Sequence, residues 1–244
     1  MKAIGRICSV GVLVLALTAW ADDEDAKPRK DEKEEASARV VYVPPSRGAT
    51  RTRTGGGTRG PLAAPTVAAL APDHVGVTNR AQPTLAWFVS EATDARVDFT
   101  LIDPDAVEPL LETTIESPAE AGVQLVRLSN LGVELEEGRS YDWAIALVLD
   151  PDARDLDVVA GGAIRRDPAA PGTASQATPG SASYLALARA GVWYDALADL
   201  SDAIAANPGN AALREARADL LEQVGVGAAA AYERGGARGG SGVE

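Results

Sequence analysis

Between residues 62 and 168 the chain carries six runs of apolar residues separated by turn residues, and this pattern constrains the fold most. Three of the runs alternate apolar and polar residues approximately, and a fourth is more uniformly apolar, as expected of a central strand. The runs span residues 83–90, 96–103, 122–129 and 141–150, with two weaker ones at 110–116 and 156–164. Six or seven short strands over about 100 residues predict an antiparallel β-sandwich of immunoglobulin-like type. Trp87 and Trp143 lie within these runs, and we expect both in the core.

After a Pro/Gly/Ser/Thr-rich linker (169–181), apolar residues recur at three- and four-residue intervals, which indicates helices. Ala196, Leu200, Ala203 and Pro208 have the spacing of the second helix of a tetratricopeptide repeat. Because only one such unit is visible, residues 182–225 predict a single TPR-like helical hairpin docked on the sandwich. The Gly/Ala-rich residues 226–244 predict a disordered tail.

The first 21 residues have the anatomy of a secretory signal peptide, with a positive start, an apolar stretch and a small-x-small site ending at Ala21. The uncharged stretch of about 14 residues is shorter than the roughly 20 that a spanning helix needs. We therefore expect cleavage near Ala21, a periplasmic or secreted protein, and no stable membrane span after cleavage. An uncleaved anchor is the alternative.

The next two segments differ sharply in charge. Residues 22–39 are charged and almost free of apolar residues, which predicts a disordered spacer. Residues 40–61 contain an apolar extended run, Pro44-Pro45, and then an Arg/Gly-rich stretch without a single acid. Its arginines are candidates for binding phosphate or carboxylate groups through their guanidinium forks; they are Arg47, Arg51, Arg53 and Arg59. The alternative is a flexible linker with solvated arginines.

The overall charge and the scarcity of certain residues exclude several classes of function. The chain has 35 acidic and 23 basic residues, a net charge of −12, which argues against a nucleic-acid partner. One cysteine (Cys8) and one histidine (His74) allow neither an internal disulfide nor a Cys/His metal centre. Removing residues 1–21 takes away Lys2, Arg6 and Cys8, so the net charge becomes −14. No cofactor is indicated.

Two further groups of residues are candidate sites. Asp150, Asp152, Asp155 and Asp157 supply four carboxylates within eight residues, a weak indication of calcium, although Arg154 competes and a solvated hairpin turn explains them better. Trp193 and Tyr194 are large amphipathic side chains suited either to docking the helices on the sandwich or to anchoring a partner.

Four features in order resemble a known family. They are Tyr42-Val43-Pro44-Pro45 leading into Arg53-Thr54-Gly55-Gly56-Gly57, the pair Leu70-Ala71-Pro72 and Pro83-Thr84-Leu85-x-Trp87, Tyr141-x-Trp143, and Ala190-Gly191-Val192-Trp193-Tyr194-Asp195-Ala196-Leu197. Over about residues 40–225 the chain resembles the domain of unknown function 928 (DUF928) family of exported bacterial proteins. The resemblance implies export and carries over no catalytic residues. Family members often have a cysteine after the Gly-rich block, where this chain has Pro61-Leu62.

These observations predict a non-catalytic interaction module at the cell envelope, binding protein partners or an anionic polymer. An envelope glycan hydrolase that uses surface carboxylates is the alternative from another class, since acids are plentiful. A purely structural spacer is the third. The sequence indicates no oligomeric state.

Overall fold

The computed structural model describes residues 39–45, 64–118, 120–168 and 183–239. The predicted signal peptide, nearly all of the charged spacer and most of the Arg/Gly-rich segment lie outside these ranges. The linker and the end of the tail do so as well.

Eight strands in the described residues form two sheets. Sheet I has the order β1-β3-β6, and sheet II has the order β2-β8-β7-β4-β5. The strands are β1 (Val67–Ala69), β2 (Gly76–Thr78), β3 (Thr84–Val89), β4 (Arg96–Ile102), β5 (Leu111–Ile115), β6 (Gly122–Arg127), β7 (Ser140–Val148) and β8 (Val158–Arg166). All six predicted runs are therefore strands, and the two three-residue strands β1 and β2 are additional.

One strand pair corrects the antiparallel prediction, because β2 runs parallel to β8. The chain passes from sheet I to sheet II between β1 and β2 instead of turning back in a hairpin. β2 and β8 are far apart in the sequence, so no tight turn joins them. Because only antiparallel neighbours can be joined by a tight hairpin turn, this pair can be parallel.

Burial in β3 and β7 is the reverse of what their sequences suggest. All six residues of β3 are buried, although its sequence alternates approximately. The central strand β7 is more uniformly apolar, yet its burial alternates along most of its length. The difference arises because sheet I is covered on both faces, whereas the outer face of sheet II is only partly buried.

Four helices in the described residues follow the sheets: α1 (Ser183–Arg189), α2 (Trp193–Ala206), α3 (Ala211–Gln223) and α4 (Gly227–Gly239). The predicted hairpin over 182–225 thus contains three helices. α1 and α2 are separated at Gly191, whose φ of 79° lies in the left-handed region that glycine adopts without strain. No helix within the described ranges has the length and apolar character to cross a membrane.

The prediction of a disordered tail over 226–244 is wrong for Gly227–Gly239, where α4 forms. Ala229 and Ala230 are buried, and Glu233 makes a buried 2.7 Å ion pair with Arg217 of α3. Arg234 binds three acids of α3: Glu215, Asp219 and Glu222. The Gly-rich composition does not predict this helix, because packing against α3 overrides the low helix propensity of glycine.

The layers stack in the order sheet II, sheet I, helices. β1 packs across β7 and β8, while α2 packs on β3 and also on β2, the edge strand of sheet II. Phe88 of β3 meets the ring of Tyr232 of α4 edge to face, with centroids 5.5 Å apart. Side chains of both sheets and of the helices therefore share one hydrophobic core.

Two aromatic residues at the start of α2 join the helices to the sheets. Trp193 Nε1 donates a 2.9 Å hydrogen bond to the Leu70 carbonyl just after β1. Tyr194 Oη accepts from Trp143 Nε1 at 2.9 Å and donates to the Ala163 carbonyl at 3.0 Å. Burial raises the pKa of Tyr194, so its phenol stays protonated and remains a donor.

We predict that Tyr194→Phe lowers the free energy of unfolding by about 2 kcal/mol, because the buried Trp143 indole loses its acceptor and the Ala163 carbonyl loses one of its donors. Tyr232→Phe is the matched control, since Tyr232 is 39% exposed and its hydroxyl makes one hydrogen bond, to the Ala121 carbonyl. It should cost less than about 1 kcal/mol. Urea unfolding measures both, and equal losses would show that Tyr194 does not anchor the helices.

Candidate functional site

A groove of about 650 Å³ opens between the edge strand of sheet II (β5) and the edge strand of sheet I (β6). The chain crosses from one sheet to the other along one end of this groove, where residues 116–118, 120 and 121 line it. Its lining is mixed, with apolar side chains such as Ile115, Leu125 and Leu131 beside polar ones such as Gln124 and Asn130. A volume of this size is typical of ligand sites in proteins.

Among the residues that the structure describes, no strand pairs with the backbone of β6 on its groove side. Leu128 N donates 3.1 Å to the Pro83 carbonyl, which continues the register that pairs Arg127 with Thr84. In an antiparallel ladder the bonding residues alternate, so Gln124 and Val126 bond to β3. Val123, Leu125 and Arg127 then direct their N–H and C=O groups away from β3, and within the described residues no strand lies there.

The inner face of sheet II is incompletely covered beside the groove. On β4 the inward side chains of Val97, Phe99 and Leu101 are fully buried. Their direct neighbours on β5 are Ile115, Thr113 and Leu111, and all three are only half-buried. In the described part of the chain, sheet II has five strands and sheet I has three. The position opposite β5, beside β6, has no strand from the described residues.

The charged side chains of the groove lie at different places along it. Glu116 and Glu120 lie in the crossover just before β6, and both are exposed. Arg127 lies at the opposite end of β6, where its guanidinium binds Asp202 of α2 at 2.5 Å. The end of the groove near the crossover therefore carries a negative charge that Arg127 does not neutralise.

Helix α4 fixes the start of β6. Tyr232 Oη donates 2.9 Å to the Ala121 carbonyl, and its ring lies against Gly122. Gly122 has a φ of 122°, and a Cβ there would lie 3.0 Å from the Tyr232 ring. Glycine therefore meets both the backbone and the packing requirement where β6 begins.

None of the sequence-predicted site residues within the described ranges lines this groove. The four arginines Arg47, Arg51, Arg53 and Arg59 lie outside the described residues, so their role in binding anions stays a prediction. Trp193 and Tyr194 are buried and bond within the fold, as described above.

The aspartates of the 150–157 turn bind neighbouring groups of the protein. Asp150 Oδ1 accepts from the Asp152 amide at 2.9 Å, and Asp157 pairs with Arg154 at 2.7 Å. Arg154 also reaches Asp98 on the outer face of sheet II. Asp155 lies exposed in the same turn. Across the described ranges, no three His, Cys, Asp or Glu side chains are arranged to hold a metal ion.

His74 lies in a short chain of hydrogen bonds. Its Nε2 lies 2.9 Å from Tyr42 Oη, and its Nδ1 lies 3.1 Å from Asp73 Oδ1. Burial raises the pKa of Tyr42, which keeps this phenol protonated. The same segment is held by Val43 N, which donates 3.1 Å to the Ala188 carbonyl, and by Gln223. This arrangement fastens residues 39–45 to the helices.

Sequence reasoning missed the groove residues because none of them forms a motif. The sequence pattern that could have pointed to the groove is the run 122–129, in which Val123 and Leu125 alternate with Gln124. That pattern identifies a strand but not its position at a sheet edge.

The described residues thus form a mixed α/β protein with two sheets, four helices and a groove between two sheet edges. The chain belongs to the DUF928 family (Domain of Unknown Function), whose model matches residues 54–233. No curated protein matches the sequence.

Amide hydrogen exchange followed by NMR tests the unpaired edge. We predict that the amides of Val123, Leu125 and Arg127 exchange roughly 100-fold or more faster than those of Gln124 and Val126, because only the latter donate to β3. Uniform protection along β6 would show that another part of the chain covers this edge.

Proposed function

We propose that this protein is a non-catalytic interaction module of the cell envelope that binds an extended segment of a partner protein as an added strand beside β6. The observation that carries the proposal is the unpaired groove side of β6, bordered by half-buried side chains of the opposite sheet. Export and cleavage near Ala21 are parts of the same proposal, supported by the signal-peptide pattern of residues 1–21.

Strand addition fits both surfaces of the groove. Backbone groups of the incoming segment would pair with Val123, Leu125 and Arg127, which gives affinity without requiring a particular sequence. Alternate side chains of the segment would face the inner side of β5. There they would cover Ile115 and its half-buried neighbours, and burial of apolar area stabilises a complex by about 25 cal/mol per Å² before the costs of association.

A protein segment suits this groove better than an anionic polymer does. Glu116 and Glu120 would repel phosphate or carboxylate groups, and Arg127 is already paired with Asp202. Binding of anionic polymers therefore stays with the acid-free segment that contains Arg47, Arg51, Arg53 and Arg59.

The proposal that the protein is not an enzyme rests on the setting of the same two carboxylates. Glu116 and Glu120 are exposed at the groove. A glycosidase general acid lies instead in a desolvated pocket that favours its protonated form. A hydrolase therefore has less support than a binding module.

We also propose that the two sheets form an immunoglobulin-like sandwich and that the helices pack as in a tetratricopeptide repeat. Two sheets that pack on each other and consist mainly of antiparallel strands support an immunoglobulin-like sandwich. Ala196, Leu200 and Ala203 are all buried along α2, as the packing positions of a TPR-like helix are.

Proline at position 125 tests strand addition. Leu125→Pro removes an N–H that points into the groove and leaves the ladder to β3 intact. The probe is a labelled seven-residue peptide of alternating valine and threonine, with both ends capped. We expect Leu125→Pro to weaken its binding roughly tenfold, by the lost hydrogen bond and by the bulk of the ring.

Leu125→Ala is the matched control, because it shortens the same side chain and keeps the N–H. It should weaken binding less than about threefold. Thermal unfolding verifies that both variants are folded. Equal binding by the two variants in a fluorescence anisotropy titration would rule out pairing at this edge.

A further inference from the structure

We infer that the groove selects segments with a cationic side chain at the C-terminal end of the added strand, which lies antiparallel to β6. This inference rests on the proposed strand addition and specifies its partner. It combines the direction of β6, the pairing in sheet I and the uneven distribution of charge along the groove.

The direction follows from the sheet that the segment would join. Both existing pairs of sheet I, β1 with β3 and β3 with β6, are antiparallel. Antiparallel pairs place their hydrogen bonds perpendicular to the strands and are somewhat more stable per residue than parallel pairs. A segment that continues this pattern places its C-terminal end beside Gly122, where β6 begins.

The charge preference follows from what lies at that end. Glu116 follows β5 directly, and Glu120 precedes Gly122 by two positions. Both line the groove, and among the described residues neither carboxylate has an ion-pair partner. A lysine or arginine at the end of the segment would be the counter-charge for both.

The residues that line the opposite end of the groove include no acid. Arg127 is held by Asp202, and Asn130 is uncharged. A cation at the N-terminal end of an antiparallel segment would therefore lie beside Arg127 and compete with it for Asp202 instead of meeting an unpaired carboxylate. The two ends of a bound segment are thus electrostatically distinguishable, which is how charge sets the orientation of a complex.

The side chains of the segment that face sheet II can also be specified. Side chains of an added strand alternate between two sides, so every second one faces Ile115 and the inner surface of sheet II. Half-buried apolar neighbours favour valine, isoleucine or leucine there. The partner is consequently an extended segment of about six residues, the length of β6, with apolar residues at alternate positions and a terminal cation.

Two peptides of identical composition test this inference. Both contain seven residues with valine at alternate positions and threonine between them, and both have capped ends to remove terminal charges. One carries lysine at its C-terminal end and the other carries lysine at its N-terminal end. At low salt we expect the C-terminal lysine peptide to bind roughly fivefold tighter, a preference in keeping with weak, exposed ion pairs.

The double variant Glu116→Gln, Glu120→Gln should abolish the preference, and raising the salt concentration should reduce it in the wild type. Both glutamates are exposed, so the fold should tolerate the change; circular dichroism verifies this.

A preference for the N-terminal lysine overturns the antiparallel direction. Equal binding of the two peptides by the wild type, or a preference that survives in the double variant, overturns the charge selection and leaves strand addition standing. Failure of both peptides to bind overturns strand addition as well.

Discussion

The hydrogen bonds of Trp193 and Tyr194 hold the helices against the sheets, and the rest of the architecture depends on that docking. Trp193 reaches the Leu70 carbonyl beside sheet I, whereas Tyr194 reaches Trp143 and Ala163 in sheet II. One end of a single helix thus fixes both sheets. Because the indole and phenol groups are buried, leaving them without partners would cost more than the net value of each bond.

This docking explains how a sheet of only three strands is stable and still has an open edge. With sheet II on one face and helices on the other, all of β3 is buried, and sheet I needs no additional strand for burial. α4 fixes the start of β6 through Tyr232 but does not pair with its edge. Sheet II and the helices cover the two faces of sheet I, and neither layer pairs with its edge. The groove side of β6 is therefore open as a consequence of this three-layer arrangement.

Much of the fold could be predicted from local patterns, and the site could not. Six of the eight strands in the described residues follow from alternation and turn residues, and the burial of Trp87 and Trp143 in the core follows from their hydrophobicity. β1 and β2 were missed because three residues are too few to show a period. α4 was missed because it forms through contacts with α3, among them the buried pair of Arg217 and Glu233, and a count of glycines does not reveal such contacts. The groove depends on which strands are edges and on how the two sheets are offset, and both are set by contacts between residues distant in the sequence.

The central claim is that the groove side of β6 accepts a strand, and intermolecular nuclear Overhauser effects in a peptide complex test it most directly. In an antiparallel pair the α-protons approach each other at the residues that do not exchange hydrogen bonds across that pair. We therefore predict contacts between the α-protons of the peptide and those of Gln124 and Val126, in opposite chain order. Contacts from the peptide only to the outer face of sheet II or to the helices would contradict it.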